Sequence, residues 1–287
     1  MTVALLGTGL LGRAIAERLR ATHHPVIAYN RTAARALPLQ TCGVTLVTHP
    51  DQAIVQADAA LLVLADAAAI RAVLLEPAVA KLLRGKTIIQ MGTIAPDESA
   101  AIQIEVNRFG GTYCEAPVLG SIAEAKAGTL QIMVGGTEEQ FARWSALFRS
   151  LSREPRLIGP VGAAAALKLA LNHLIAAEIS AFALSLGLVQ RAGAPVDTFM
   201  TILRESALFA PTFEKKLPRL LKRDYRNPNF STRHLLKDVE LFLAEATKQQ
   251  LVVSSLEGIA PILRKTIEHG LGEVDYSALY DIVNPLP

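Results

Sequence analysis

Cysteine is scarce, and neither sign of charge dominates. The 287 residues hold two cysteines, Cys42 and Cys114, far apart and without C-x-x-C spacing, so neither a disulfide scaffold nor a structural zinc site is expected. No metal is called for, and a reducing, cytoplasmic setting fits. Lys plus Arg number 29 against 26 Asp plus Glu, a formal charge of +3. The basic residues form no block, whereas phosphate-backbone binding needs clustered positive charge, so no nucleic-acid partner is expected. Charged residues make up only 19% against 51% hydrophobic, a balance that excludes intrinsic disorder and allows a sizeable core. Also missing is a clean apolar run of membrane length. The most apolar long stretch, Val161 to Val189, is broken by Lys168, Asn172, His173 and Glu178, so a buried helix is expected and no membrane span. No basic segment precedes the first apolar residues, and no signal peptide is expected. There is no internal repeat and no low-complexity tract.

What is present divides at Gly159-Pro160. Before it, short apolar runs alternate with helical patterns, the signature of βαβ units and a parallel sheet. Strands are expected at Val3–Leu6, Pro25–Tyr29, Val44–Val47, Ala60–Leu64, Thr87–Met91, Thr112–Glu115 and Leu130–Val134, with helices at Leu11–Arg20 and Thr137–Ser150. Beyond it, nothing reads as a strand. One long helix is expected from Val161 to about Gln190, about 45 Å at 1.5 Å per residue. Shorter helices follow at Val196–Glu205, Thr212–Lys222, Ser231–Lys248, Ser255–His269 and Tyr276–Ile282. The expected domains are 1–160, α/β, and 161–287, all-α.

Gly7-Thr8-Gly9-Leu10-Leu11-Gly12 has the pattern G-x-G-x-x-G and lies after an apolar strand, at the opening of a helix. The first glycine permits a tight turn, the second lets a pyrophosphate approach the backbone, and the third lets helix and strand pack closely. A free ribose 2′-hydroxyl would call for an acid about 20 residues on. Asn30, Arg31 and Thr32 stand there instead. No carboxylate repels a 2′-phosphate and Arg31 offers a fixed cation, which favours NADP(H) over NAD.

Lys168 and Asn172 are spaced i, i+4 in the long helix and share one face of it. A lysine in an apolar helical stretch is costly to bury, which points to function beyond a surface charge. His173 lies off that face and reads as a packing or capping residue. Lys237 and Asp238 form a second charged pair, in the helix that starts near Ser231; an ordinary solvated pair would look the same. Two strand ends, Met91-Gly92-Thr93 and Glu115-Ala116-Pro117-Val118-Leu119-Gly120-Ser121, run into small residues at the carboxyl edge where open α/β sheets bind ligands. The second has amides able to hold an anion such as a carboxylate.

The ordered set of Gly7-x-Gly9-x-x-Gly12, Asn30-Arg31-Thr32, Leu64-Ala65-Asp66, Met91-Gly92-Thr93, Ala116-Pro117-Val118-x-Gly120, Gly162 to Lys168 with Asn172, and Lys237-Asp238 resembles the β-hydroxyacid dehydrogenase family over nearly the whole chain. Within that family it is most similar to the glyoxylate and succinic semialdehyde reductases. The resemblance implies an α/β Rossmann domain with a parallel sheet, a long interdomain helix, and an all-α domain like the C-terminal one of 6-phosphogluconate dehydrogenase. It implies that Lys168 is the catalytic acid or base and that Asn172 helps bind substrate. Thr93 and Lys237 match positions near the cofactor, Leu64, Ala65 and Asp66 a loop that lines it, Gly120 and Ser121 a carboxylate grip, and Asp238 an acid near the site.

One departure matters. The family loop commonly reads Pro-Val-Ser-Gly, and this chain has Leu119 in place of that serine, which loosens the expectation about substrate more than about chemistry. The activity implied is NADPH-dependent reduction of a small aldehyde or keto acid, with Lys168 giving the proton; an ordinary lysine is protonated at neutral pH and suits that role. A 3-hydroxyisobutyrate dehydrogenase or imine reductase of the same build, and a catalytically silent nucleotide-binding module, are the competing readings. An apolar helix as long as Val161–Gln190 also predicts a homodimer or homotetramer.

Overall fold

The computed structural model describes residues 1–286 and contains two compact units, Met1–Lys168 and the chain from Leu169 on. In the first unit, strands β1 (Val3–Leu6), β2 (Val26–Tyr29), β3 (Thr45–Val47), β4 (Ala59–Leu62), β5 (Thr87–Gln90) and β6 (Thr112–Glu115) pair in the order β3-β2-β1-β4-β5-β6. All of these pairings are parallel. The chain order reverses beside β1, which makes its carboxyl end the switch point where ligands bind in such sheets.

Both faces of this sheet are covered, because alternate residues point to opposite sides. Val3 and Leu5 join one core cluster with Ile15 and Leu19, whereas Ala4 and Leu6 join the other with Ile54 and Ile70. Ala59 and Leu61 divide from Ala60 and Leu62 in the same way. The covering helices are α1 (Leu10–Ala21), α2 (Pro50–Gln56), α3 (Ala67–Leu74), α4 (Pro77–Ala80), α5 (Pro96–Arg108), α6 (Ile122–Ala127) and α7 (Glu138–Leu151). Thr137 caps α7 by accepting the Gln140 N–H at 3.1 Å, as its sequence position predicts.

Three further strands complete the sheet. β7 (Val118–Leu119) and β8 (Gln131–Gly135) are antiparallel, β8 also meets β6 antiparallel, and β9 (Arg156–Gly159) runs parallel to β8. Neither β7 nor β9 was expected from the sequence. β7 is only two residues long and β9 has only Leu157 and Ile158 as an apolar run, and each borders a proline, Pro117 or Pro160, which belongs at strand ends and edges.

Helix α8 (Ala163–Arg191) starts in the first unit and runs on into the second. By length and composition alone it could cross a membrane. Its Ala176, Ile179, Phe182, Ala183 and Leu186 are nevertheless buried, at helical spacing, in the core of the second unit. That unit continues through α9 (Val196–Arg204), α10 (Pro211–Lys222), α11 (Thr232–Lys248), α12 (Ser254–Glu257), α13 (Ile259–Thr266) and α14 (Tyr280–Val283). The single helix expected over Ser255–His269 is thus two helices followed by a π turn at Ile267–Leu271, where Gly270 adopts φ 80°. His173 packs, its ring stacked on Phe242 with centroids 4.6 Å apart.

Candidate active site

The glycine turn takes the conformation that its pattern requires. Gly7 has φ +105°, and a Cβ there would run into the Val63 carbonyl; one at Gly12 would run into the carbonyl oxygen of Gly7. A Cβ at Gly9 would meet nothing within 4 Å. Gly9 is also the N-cap residue of α1 and offers no side-chain cap, so the first-turn amides face an open cradle suited to a phosphate. Thr8 is buried beside it, and its Oγ1 has no hydrogen-bond partner among the described residues. Open space at Gly9, uncapped amides and an unsatisfied hydroxyl fit a dinucleotide pyrophosphate.

Asn30, just beyond β2, ties this turn down. Its Oδ1 accepts the Thr8 N–H at 2.9 Å and its Nδ2 donates to the Thr32 carbonyl at 2.9 Å. Arg31 and Thr32 are exposed next to it. Past β4, Leu64 and Ala65 lead to Asp66, which caps α3 by accepting the Ala69 N–H at 2.7 Å. A Cβ at Gly92 would lie 2.6 Å from the Leu64 carbonyl oxygen, so the two loops can touch only with glycine there. Buried Gln90 accepts the Gly92 N–H at 2.5 Å and returns a bond to its carbonyl at 3.1 Å, which holds the backbone that leads into Thr93. The Gly7–Gly12 turn, Asn30 to Thr32, Leu64 to Asp66 and Thr93 all follow the carboxyl ends of parallel strands on one edge of the sheet.

The anion loop differs from the sequence expectation. Leu119 is in β7, paired with Gln131, and Gly120 follows at φ +130°. The donors of Ser121 are already engaged: Glu124 Oε2 accepts the Ser121 N–H at 2.8 Å and its hydroxyl at 2.6 Å. The chain's own carboxylate sits where a substrate carboxylate was expected.

Lys168 is 9% exposed and Asn172 2%, one turn apart on α8. Asn172 Nδ2 donates to Asp238 Oδ2 at 2.5 Å. Asp238 is itself buried, and its Oδ1 receives no directed hydrogen bond but lies 2.9 Å from Lys237 Nζ. Adjacent helix positions rarely pair; here the long lysine side chain bends back because Asp238 points inward while Lys237 remains part-exposed. Asp238 therefore orients Asn172 and anchors Lys237. Sequence reasoning passed over Glu115 as the opening of a loop, and its only sequence signal was a carboxylate ending a strand of otherwise buried type.

Residues 2–161 match the family described as the NAD binding domain of 6-phosphogluconate dehydrogenase. Residues 162–283 match that described as the NAD-binding region of NADP-dependent 3-hydroxyisobutyrate dehydrogenase. The chain belongs to the β-hydroxyacid dehydrogenase family. Among its relatives, glyoxylate/succinic semialdehyde reductase 1 of Arabidopsis thaliana is 28% identical over 285 residues, which cover 99% of this chain and 98% of the relative. The cytokine-like nuclear factor N-PAC of Drosophila pseudoobscura pseudoobscura is 27% identical over 98% of this chain, which spans 46% of that longer protein. In fold, the chain is similar to the crystal structure of 3-hydroxyisobutyrate dehydrogenase from Salmonella typhimurium, with a TM-score of 0.89, 22% identity, and coverage of 98% of this chain and 99% of that one. Membership of the family makes the chain a nicotinamide-dependent hydroxyacid dehydrogenase acting on a CH–OH group.

Proposed function

We propose that this dehydrogenase works as an NADPH-dependent reductase of a small aldehyde or keto acid of the glyoxylate or succinic semialdehyde type, forming the hydroxy acid. The observation that carries the reading is the pair on α8, a buried lysine one turn from a buried asparagine whose amide nitrogen is held by Asp238. That bond fixes the orientation of the Asn172 carboxamide one turn from Lys168. Lys168 Nζ holds the proton that passes to the substrate oxygen as its carbon is reduced. The nicotinamide, when bound, supplies the hydride. Burial around Lys168 excludes bulk water and strengthens its interaction with the developing alkoxide.

The absence of a carboxylate at Asn30-Arg31-Thr32 and the exposed Arg31 guanidinium support NADPH as cofactor. Leu167, Leu174, Leu184 and Leu188 are exposed along α8, which supports a homodimer or homotetramer that covers them. A second reading, with a less polar carbonyl or an imine as substrate, is favoured by one observation, the occupation of Ser121 by Glu124.

The test is consumption of NADPH, with NADH as control, in the presence of glyoxylate, succinic semialdehyde or a cyclic imine, using the wild type and Lys168→Ala. Turnover of the aldehyde acids with NADPH is expected, falling about 10²- to 10⁴-fold in the variant. Preference for the imine would move the assignment to the second reading, and tight NADPH binding with no turnover of any of them would mark a silent nucleotide-binding module.

A further inference from the structure

Glu115 ends β6 and is 1% exposed. Among the described residues no lysine or arginine pairs with it. Its Oε1 accepts backbone N–H groups from Gly162 at 2.8 Å, Ala164 at 2.9 Å and Ala165 at 3.1 Å, the donors that open α8. Its Oε2 accepts the Ser99 hydroxyl of α5 at 2.6 Å. Because the single Ser99 proton goes to Glu115, the Tyr113 hydroxyl donates to Ser99 Oγ across 2.9 Å. Space for the carboxylate is made by Gly135 on β8, where a Cβ would run into Oε1 and Cγ of Glu115. Gly162 turns the chain at φ +101° so that its N–H joins the other two.

A carboxylate that accepts three amides from a helix N-terminus does more than cap it. The negative charge opposes the positive end of the helix dipole, and each bond is of the charge-assisted kind. Three donors on successive sides of the first turn also fix the rotation of the helix about its axis. Lys168 stands four residues beyond Ala164 and three beyond Ala165, so it projects from the face directly above the clamped amides. A side-chain tip about 6 Å from the helix axis moves about 2 Å for a 20° rotation. Displacements of that size at a proton donor cost about 100-fold in rate.

We infer that Glu115 is a positioning residue for Lys168, holding the first turn of α8 at the rotation that brings the lysine ammonium to the reacting oxygen. Its bonds are to three backbone amides and the Ser99 hydroxyl, so it acts through the backbone. The inference rests on the reading of Lys168 as the proton donor, while the clamp itself can be tested without turnover.

The experiment compares wild type with Glu115→Asp, which keeps the charge but falls one methylene short, and with Glu115→Gln, which keeps the shape but loses the charge. Amide exchange at residues 162–165 should quicken at least about 10-fold in both variants and elsewhere remain unchanged, a local loss of protection. Acetylation of Lys168, read by mass spectrometry against the other lysines, should change about threefold or more. With a turned-over aldehyde acid, kcat should fall about 10- to 100-fold while KM and the NADPH Kd stay within about threefold. Unaltered exchange and unaltered Lys168 acetylation would overturn the inference whether or not any substrate is turned over. So would equal losses in kcat, KM and cofactor affinity, which would mean general loss of structure. If neither variant folds, Ser99→Ala, which removes one bond and leaves the three amides, should give the same pattern at about 3-fold; no change in it would equally overturn the proposal. Lack of turnover by the wild type, with both structural readouts as expected, would remove the proposed function and leave the clamp standing.

Discussion

Asn30 accepts the backbone N–H of Thr8 at 2.9 Å, bridging the end of the second strand and the glycine turn across 22 residues of chain. The side chain at the position where the sequence reading looks for a ribose contact is therefore also a brace for the glycine turn. Asn30→Asp keeps an acceptor for that N–H and adds a negative charge next to Arg31. The NADPH KM should rise about 10- to 100-fold, equivalent to about 1.4 to 2.8 kcal/mol, while the NADH KM holds or improves. Steady-state kinetics with both cofactors decides it; parallel losses with both would show that the brace alone had been damaged.

Glu124 occupies the amide and hydroxyl of Ser121 that the family resemblance assigns to a substrate carboxylate. Glu124→Ala should lower the KM of a carboxylate-bearing carbonyl about 3- to 10-fold, as one charge-assisted site becomes available. The KM of its amide analogue should not follow. Helix α6 loses its capping box, at a cost of about 1 kcal/mol in stability. An unchanged ratio of acid to amide would mean that the substrate never reaches Ser121.

In the second unit, Asp275 takes two bonds from Lys216 Nζ at 2.8 Å and two more from Ser277, N–H at 3.1 Å and hydroxyl at 2.7 Å. Burial pulls the Lys216 ammonium below its ordinary value, and the Asp275 charge works against that. Lys216 also lies 4.1 Å from the centre of the Tyr276 ring. Asp275→Ala strands the ammonium and should cost about 3–5 kcal/mol, whereas Lys216→Met keeps the packing against Tyr276 and should cost less. Denaturant midpoints measure both; equal losses would contradict the asymmetry.

Alkaline pH should weaken the fold. Burial, with help from the Glu115 charge, pushes the Cys114 thiol up to about 12, and burial above all pushes the Tyr276 phenol up to about 12. In the unfolded chain these groups ionise near about 8.5 and about 10. The folded state therefore binds more protons above those values, and stability falls as pH rises from about 8.5 toward 12. Thermal midpoints at about pH 8 and about pH 10 should show the decline, with a shallower slope for Cys114→Ala. Thiol titration of the native protein near neutral pH should count exposed Cys42 and spare Cys114 until denaturant is added.

Local chemistry was legible in the sequence. The glycine turn, the parallel strands and the Lys168–Asn172 spacing depend on residues within a few positions of one another, where backbone geometry and period leave few alternatives. Strand β7 escaped because two residues carry no period, and β9 because Arg156-Leu157-Ile158-Gly159 has only two apolar residues between a charge and a glycine. The break between α12 and α13 escaped because Gly258 sits inside a continuous helical pattern and only packing chose the break.

The destination of each buried polar side chain lay beyond reach of the sequence. Glu115 meets amides 47 to 50 residues away, and Asn172 meets Asp238 across 66. The Ser121–Glu124 pair, by contrast, is a capping box of residues three apart, a local pattern open to sequence reading. By itself the sequence determined the two-part architecture and the identity of the chemical groups, since these follow from hydrophobic period and from side-chain type. Which donor meets an acceptor far along the chain was decided by the tertiary structure alone, because a buried polar group must be satisfied by whatever the packed chain brings within about 3 Å of it.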